Sequence, residues 1–115
     1  MAGKDTWGPI LWDRIHELSL REDERAFITL IRNLPKIVPC PECREHSKRY
    51  LKAHPITKST NLLRWGIDFH NTVNKRLGKR VLPYSKAELL IRRKSAQTPY
   101  LVSEAKWVVQ RMVYL

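Results

Sequence analysis

Cysteine is scarce in this chain. Two among 115 residues are too few for the disulfide framework of a small secreted domain. No apolar run approaches the about 20 residues that a membrane-spanning helix needs, and no apolar leader core follows "MAGKDTWGP". Alternating apolar and polar residues over a useful length are missing, which argues against a half-buried sheet. Internal repeats, low-complexity tracts and long linkers are missing as well. Acidic side chains are outnumbered, 11 against 22 Lys and Arg, for a formal charge of +11. These absences leave an intracellular, soluble, all-helical protein as the expectation.

What is present can build a core. Of the residues, 43% are apolar and ten are Phe, Trp or Tyr, and the length suits one domain over residues 1–115. Its core is expected at about 7–94, with an extension at about 98–115. Four tryptophans are more than a core this size usually needs, which hints at a ligand surface. The net charge would suit an anionic cofactor, nucleic acid, a membrane surface or an acidic partner. The basic residues are spread, however, apart from clusters at Lys75–Arg80 and Arg92–Lys94. A solvated basic surface explains that spread equally well.

Helical periodicity runs nearly throughout. Pro9 suits the first turn of a helix reaching about Leu20, with Leu11, Ile15 and Leu18 on one face. "REDER" opens a second, carrying Phe27, Leu30, Ile31 and Leu34, which Pro35 should end or kink. Pro41 fits the first position of a third helix, with Cys40 at or near its N-cap and Pro55 closing it. "KST" offers caps for a fourth, from about Asn61 to Leu77, with Gly78 as its stop. Ser85 and Glu88 have capping-box spacing for a short fifth. A last helix is expected after Thr98-Pro99, with Leu101, Ala105, Val108 and Met112 on one face.

The fourth helix carries chemical information. Leu62, Trp65, Phe69, Val73 and Leu77 form one apolar sector, and His70 and Asn74 fall on its edge one turn apart. Asn71 lies on the polar side, and Lys75 and Lys79 stand near the end. Asparagine is a poor helix former, so two of them beside a histidine are a costly way to build a helix for stability alone. A polar ladder lining a heterocycle, with lysines for its phosphates, would justify the cost; a bundle helix with a satisfied polar edge is the plainer account. In the first helix, Trp12 and His16 share a face at i, i+4, and Trp7-Gly8 precede them. Such a pair is commonly packing.

"PCPEC", residues 39–43, holds both cysteines and admits three readings. A zinc site would take Cys40, Cys43, His46 and His54, but usual spacings put the second ligand pair on a separate element. Two ordinary thiols would be the inert reading. A redox pair has positive support: a helix N-terminus favours the thiolate, with Cys40 at the cap the accessible sulfur and Cys43 one turn inside. Thioredoxin also uses C-x-x-C at a helix start, but in a βαβ context lacking here. A helical protein cycling a disulfide needs another electron acceptor, and a flavin would suit the Trp, His and Asn seam.

With these pieces assembled, "WGPILWDRIH" (7–16), "CPECREH" (40–46) and "HNTVNKRLGK" (70–79), the chain resembles the Erv/ALR family of FAD-linked sulfhydryl oxidases. The resemblance implies a four-helix bundle with a short fifth helix, binding FAD, usually as a homodimer. It implies Cys40 and Cys43 as the redox pair. Trp7, Gly8, Trp12 and His16 would meet the cofactor from the first helix, and Cys43 and His46 from the third. His70, Asn71, Val73, Asn74, Lys75, Leu77 and Lys79 would meet it from the fourth. The implied chemistry passes electrons from a thiol-containing substrate protein, thioredoxin-like or a virion component, through FAD to O2. The chain resembles the minimal forms of large cytoplasmic DNA viruses, which implies the host cytoplasm or the virion.

There are departures from the family. No shuttle cysteines are present among the two, Tyr84 stands where a structural cysteine would be, Val38 replaces a common aromatic, and Ile91 stands near an expected tryptophan. The rival reading is a basic zinc- or nucleic-acid-binding helical module built on Cys40, Cys43, His46 and the lysines.

Overall fold

In the computed structural model, which describes residues 4–97, five helices follow one another: α1 Lys4–Leu20, α2 Glu24–Ile37, α3 Pro41–Ala53, α4 Leu62–Arg76 and α5 Tyr84–Gln97. Side chains are described from Gly8 to Ala96, and there is no strand among the described residues. None of these helices is long and apolar enough to cross a membrane. The expected helix after Pro99 lies outside the described residues.

The apolar spacing decides the packing. Leu11, Ile15 and Leu18 of α1 meet Phe27, Leu30, Ile31, Leu34 and Ile37 of α2 and Leu62, Trp65 and Phe69 of α4 in one buried cluster. The amphipathic helix α3 adds Cys43, Tyr50 and Leu51 at its edge. Phe27, fully buried, meets the Trp65 ring edge-on at 5.8 Å between centroids, and Trp65 donates its indole N–H to the His54 carbonyl at 2.8 Å. A second, smaller cluster of Leu63, Ile67 and Ala87 joins α4 to α5.

Helix ends follow local chemistry. Asp23 caps α2 by accepting from the Ala26 N–H at 3.2 Å. Asn61 caps α4, accepting from the Arg64 N–H at 3.0 Å; "KST" does not supply the cap, because the Asn61 amide oxygen already fills that role. Gly78, at φ 72°, ends α4 in a Schellman turn: Lys79 N–H reaches the Asn74 carbonyl at 2.7 Å and Gly78 N–H reaches Lys75 at 3.2 Å.

Three expectations are corrected. Helix α1 begins at Lys4, so Pro9 lies inside it rather than in its first turn. Pro35 does not end α2, which runs on to Ile37 and closes with Val38 N–H on the Leu34 carbonyl at 3.0 Å. Proline loses its own hydrogen bond to the carbonyl four residues back and crowds that carbonyl, and burial of Leu34 and Ile37 offsets this cost. Helix α5 is as long as α2, 14 residues each. It begins before Ser85, with Ala87 N–H bonded to the Pro83 carbonyl, so Ser85 is no N-cap and the Glu88 carboxylate binds Arg92 at 2.9 Å instead.

Candidate functional site

Where α1, α3 and α4 converge they leave a cavity of about 410 Å³. From α1 come Gly8, Trp12 and His16, and from α3 Cys43 and His46. His70, Val73 and Asn74 enter from α4, with Leu77 and Lys79 from its end. Ten of the residues singled out in the sequence therefore meet around one space. Leu11, Leu34, Val38 and Phe69 supply apolar wall.

An aromatic and imidazole stack organises one side. The rings of Trp12 and His70 lie 3.8 Å apart at 7°, and Trp12 and His16 lie 6.0 Å apart at 22°. His16 Nε2 and His70 Nδ1 are 3.0 Å apart, a hydrogen bond that requires one donor and one acceptor. His16 Nδ1 is buried without a partner, beside Gly66. The cheapest assignment puts the His16 proton on Nε2, since a bare lone pair costs less than a stranded N–H. That leaves the His70 proton on its own Nε2.

Burial pushes both histidines down, with their neighbours adding to it: His16 to about 3, by burial, then His70 and Lys94; His70 to about 4, by burial, then Lys79. The His46 imidazole is also lowered, first by burial and then by the Arg76 and Arg49 charges. These rings are neutral at ordinary pH.

The cysteines sit as the Pro41 position requires. Cys40 is the N-cap of α3, and its sulfur accepts from the Cys43 N–H at 3.3 Å. Pro41 follows as the first helical residue, where the missing N–H costs nothing. Cys43 lines the cavity, whereas Cys40 is not among the lining residues. Among the described residues no group of three or more His, Cys, Asp or Glu is arranged to hold a metal. His54, the fourth ligand of the zinc reading, is exposed at the end of α3 with its ring stacked on Tyr50 at 4.2 Å.

Some residues sit elsewhere. Asn71 faces the turn after α4, donating to the Leu82 carbonyl at 2.7 Å and accepting the Leu82 N–H at 3.2 Å, and it does not line this cavity. Lys75 is exposed and outside the lining. The Trp7 side chain lies outside those described.

Sequence reasoning missed Arg76 and Lys94, both of which line the cavity. Arg76 follows Phe69 and Val73 at seven and three residues, which puts it on their helical stripe, and that spacing could have found it. Lys94 arrives from α5 and pairs with Asp13 of α1 at 2.7 Å, a long-range contact with no local signature.

A partly apolar chamber with neutral imidazoles, an amide, a sulfur and cationic side chains in its lining suits a conjugated heterocycle bearing phosphate. Comparison with known proteins points the same way. The chain is 33% identical over 88 residues to a FAD-linked sulfhydryl oxidase of African swine fever virus, covering 69% of this chain and 74% of that one. Over 115 residues it is 30% identical to a protein of Acanthamoeba polyphaga mimivirus named as a probable FAD-linked sulfhydryl oxidase, covering 90% and 79%. A FAD-linked sulfhydryl oxidase of Oryza sativa subsp. japonica is 30% identical over 89 residues, covering 70% of this chain and 46% of the plant protein. The sequence pattern of the Erv1 / Alr family matches residues 10–94, from the second turn of α1 to the last turn of α5, and so takes in all of the cavity lining except Gly8 and Pro9. The chain belongs to the Erv1 / Alr family.

Proposed function

We propose that the chain is a FAD-linked thiol oxidase that makes disulfides in a substrate protein through Cys40 and Cys43, with O2 as final acceptor and H2O2 as product. The observation that carries this reading is the position of Cys43: one half of a helix-start C-x-x-C lines the chamber that also holds the Trp12–His70 stack. Family membership and the names of the relatives supply the cofactor and the substrate class.

The residues present fit FAD. Trp12, Phe69, Val73 and Leu77 offer apolar wall for a flat ring, and Asn74 offers both a donor and an acceptor. His46, which lines the chamber, has a buried Nε2 without a partner, the kind of orphan that a ligand heteroatom satisfies. Arg76, Lys79 and Lys94 bring positive charge suited to a diphosphate. When bound, FAD supplies the two-electron acceptor that O2 reoxidises.

The chain's own residues do the exchange chemistry. A substrate thiolate attacks the Cys40 sulfur of the oxidised pair, the S–S bond breaks, and Cys43 leaves as the thiolate. A second substrate thiolate then attacks the substrate sulfur of this mixed disulfide, and Cys40 leaves. The substrate dithiol has lost two electrons and two protons, and the pair has gained them. Attack falls on Cys40 because Cys43 belongs to the chamber and Cys40 does not. His16 and His70, held neutral, keep the stacked side of the chamber free of added charge.

In this reading the substrate thiolate attacks Cys40, one of the two cysteines of the chain. The viral relatives support the host cytoplasm or the virion as its setting, and family habit supports a homodimer. Purified protein provides the test. A yellow preparation that consumes O2 with a small dithiol and releases an equal amount of H2O2 is the expected result. A colourless one carrying stoichiometric zinc would remove the proposal in favour of the metal-binding module.

A further inference from the structure

The third and fourth helices meet at a contact that neither the family resemblance nor the cysteine spacing anticipates. Arg76, in the last turn of α4, donates from Nη2 to the Cys43 sulfur at 3.5 Å. Its other terminal nitrogen, Nη1, lies 3.8 Å from the Glu42 carboxylate. Glu42 and Cys43 are consecutive residues in the first turn of α3, so one planar guanidinium is held between a carboxylate and a sulfur. A fork of fixed geometry can span both, whereas an ammonium acts as a single point charge. Arg76 also lines the chamber, and its charge is the largest electrostatic contribution to the lowering of His46, after burial.

We infer that Arg76 is a positioning residue for Cys43, holding its sulfur at the chamber wall and favouring the thiolate over the thiol. The inference rests on the reading of Cys43 as the sulfur that serves the chamber. The step is a proton transfer alone: the S–H bond breaks, the proton goes to solvent, and the pair of electrons stays on sulfur beside the guanidinium. This makes Cys43 the better leaving group when substrate attacks Cys40, because a thiol that ionises more readily departs faster.

Other charged and titratable groups stand beside Cys43 on α3 or share the chamber with it. On α3 these are Cys40, whose sulfur accepts the Cys43 N–H, together with Glu42 and His46. From α4 and the turn after it come His70 and Lys79. From α1 come His16, which is neutral, and Asp13, which pairs with Lys94 of α5 at 2.7 Å. Glu42 opposes thiolate formation, but it is 84% exposed and its field is accordingly screened. Arg76 is the cation with hydrogen-bond geometry on the sulfur.

The test measures one thiol. In the 115-residue chain carrying Cys40→Ser, Cys43 is the remaining cysteine, and its alkylation rate by iodoacetamide against pH gives the midpoint for thiolate formation. Adding Arg76→Gln should raise that midpoint by about one pH unit, the low end of what an adjacent opposite charge produces. Arg76→Lys should restore part of the difference. Lys48→Gln, which removes a charge from the exposed face of α3, should leave the midpoint in place. An unchanged midpoint in Arg76→Gln, or an equal rise in Lys48→Gln, overturns the inference.

A second measurement needs no change at Arg76. In about 1 M salt, where the screening length is about 3 Å, the midpoint of the Cys40→Ser protein should rise. A midpoint indifferent to salt also counts against Arg76. None of these readings needs bound cofactor. A failure here therefore leaves the flavin proposal standing, and a colourless preparation leaves the Arg76 result standing.

Discussion

Helices α2 and α5 have the same length and are held by different physics. Helix α2 buries Phe27, Leu30, Ile31, Leu34 and Ile37 in the main cluster. Helix α5 buries Ala87, while Leu89 and Leu90 remain 50% and 46% exposed. It is fixed by directed contacts instead: Lys94 to Asp13 at 2.7 Å, the Ser95 hydroxyl donating to Glu17 at 2.8 Å, and the Arg64 guanidinium over the Tyr84 ring at 4.7 Å. Burial scales with area and tolerates small errors of fit; pins of this kind each contribute little and depend on geometry and salt. The lesson is that α2 closes the main core, whereas α5 packs on its outside and brings Lys94 to the cavity. Tyr84, standing where the resemblance places a structural cysteine, shows one such pin in place of a covalent tie.

The contrast can be broken at either end. Phe27→Ala should cost about 3–5 kcal/mol, since the ring is fully buried and edge-on to Trp65, and urea unfolding of the whole chain measures it. A loss below about 1 kcal/mol would mean that α2 is not the keystone. Acid should strike the seam between core and cavity next. His16 and His70 have folded values near 3 and 4, below the unfolded 6.5, so the unfolded chain takes up protons first as pH falls. Stability should be undiminished well above pH 6.5 and decline between 6.5 and about 3, by up to about 2 kcal/mol per histidine at pH 5. The slope should diminish in His16→Phe; an unaltered slope would remove the histidines as its source.

The smallest effect belongs to α5. A double-mutant cycle on Lys94 and Asp13 should give a coupling below about 1 kcal/mol, reduced further by salt, with amide exchange accelerating in α5 but not in α2. Equal acceleration in both helices would erase the distinction between them.

The same division separates what was legible in the sequence from what was not. Apolar spacing located α2 and α4, Pro41 placed Cys40 at a cap, and Gly78 marked the end of α4, because each is a local consequence of backbone or periodicity. The Trp12–His16 and His70–Asn74 pairs were found by helical arithmetic, and the structure brings both to one cavity. Asn71, which the same arithmetic puts on the polar side and the resemblance assigns to the cofactor, satisfies the Leu82 backbone instead, a choice made by the turn after α4. Pro9 lies inside α1 and Pro35 inside α2, so neither marks a helix boundary, because packing of the flanking apolar residues outweighs the local cost of proline. Lys94 was invisible because its place depends on a residue in α1, and charge carries no periodicity that announces a distant partner.

The central claim is that electrons leave this chain through Cys43. Anaerobic addition of a small dithiol to the purified yellow protein reads this directly as bleaching of the flavin absorbance. The account predicts rapid, stoichiometric bleaching in the unaltered protein and slowing by at least about 100-fold in Cys43→Ala with the flavin still bound. Bleaching of Cys43→Ala at the unaltered rate would contradict it.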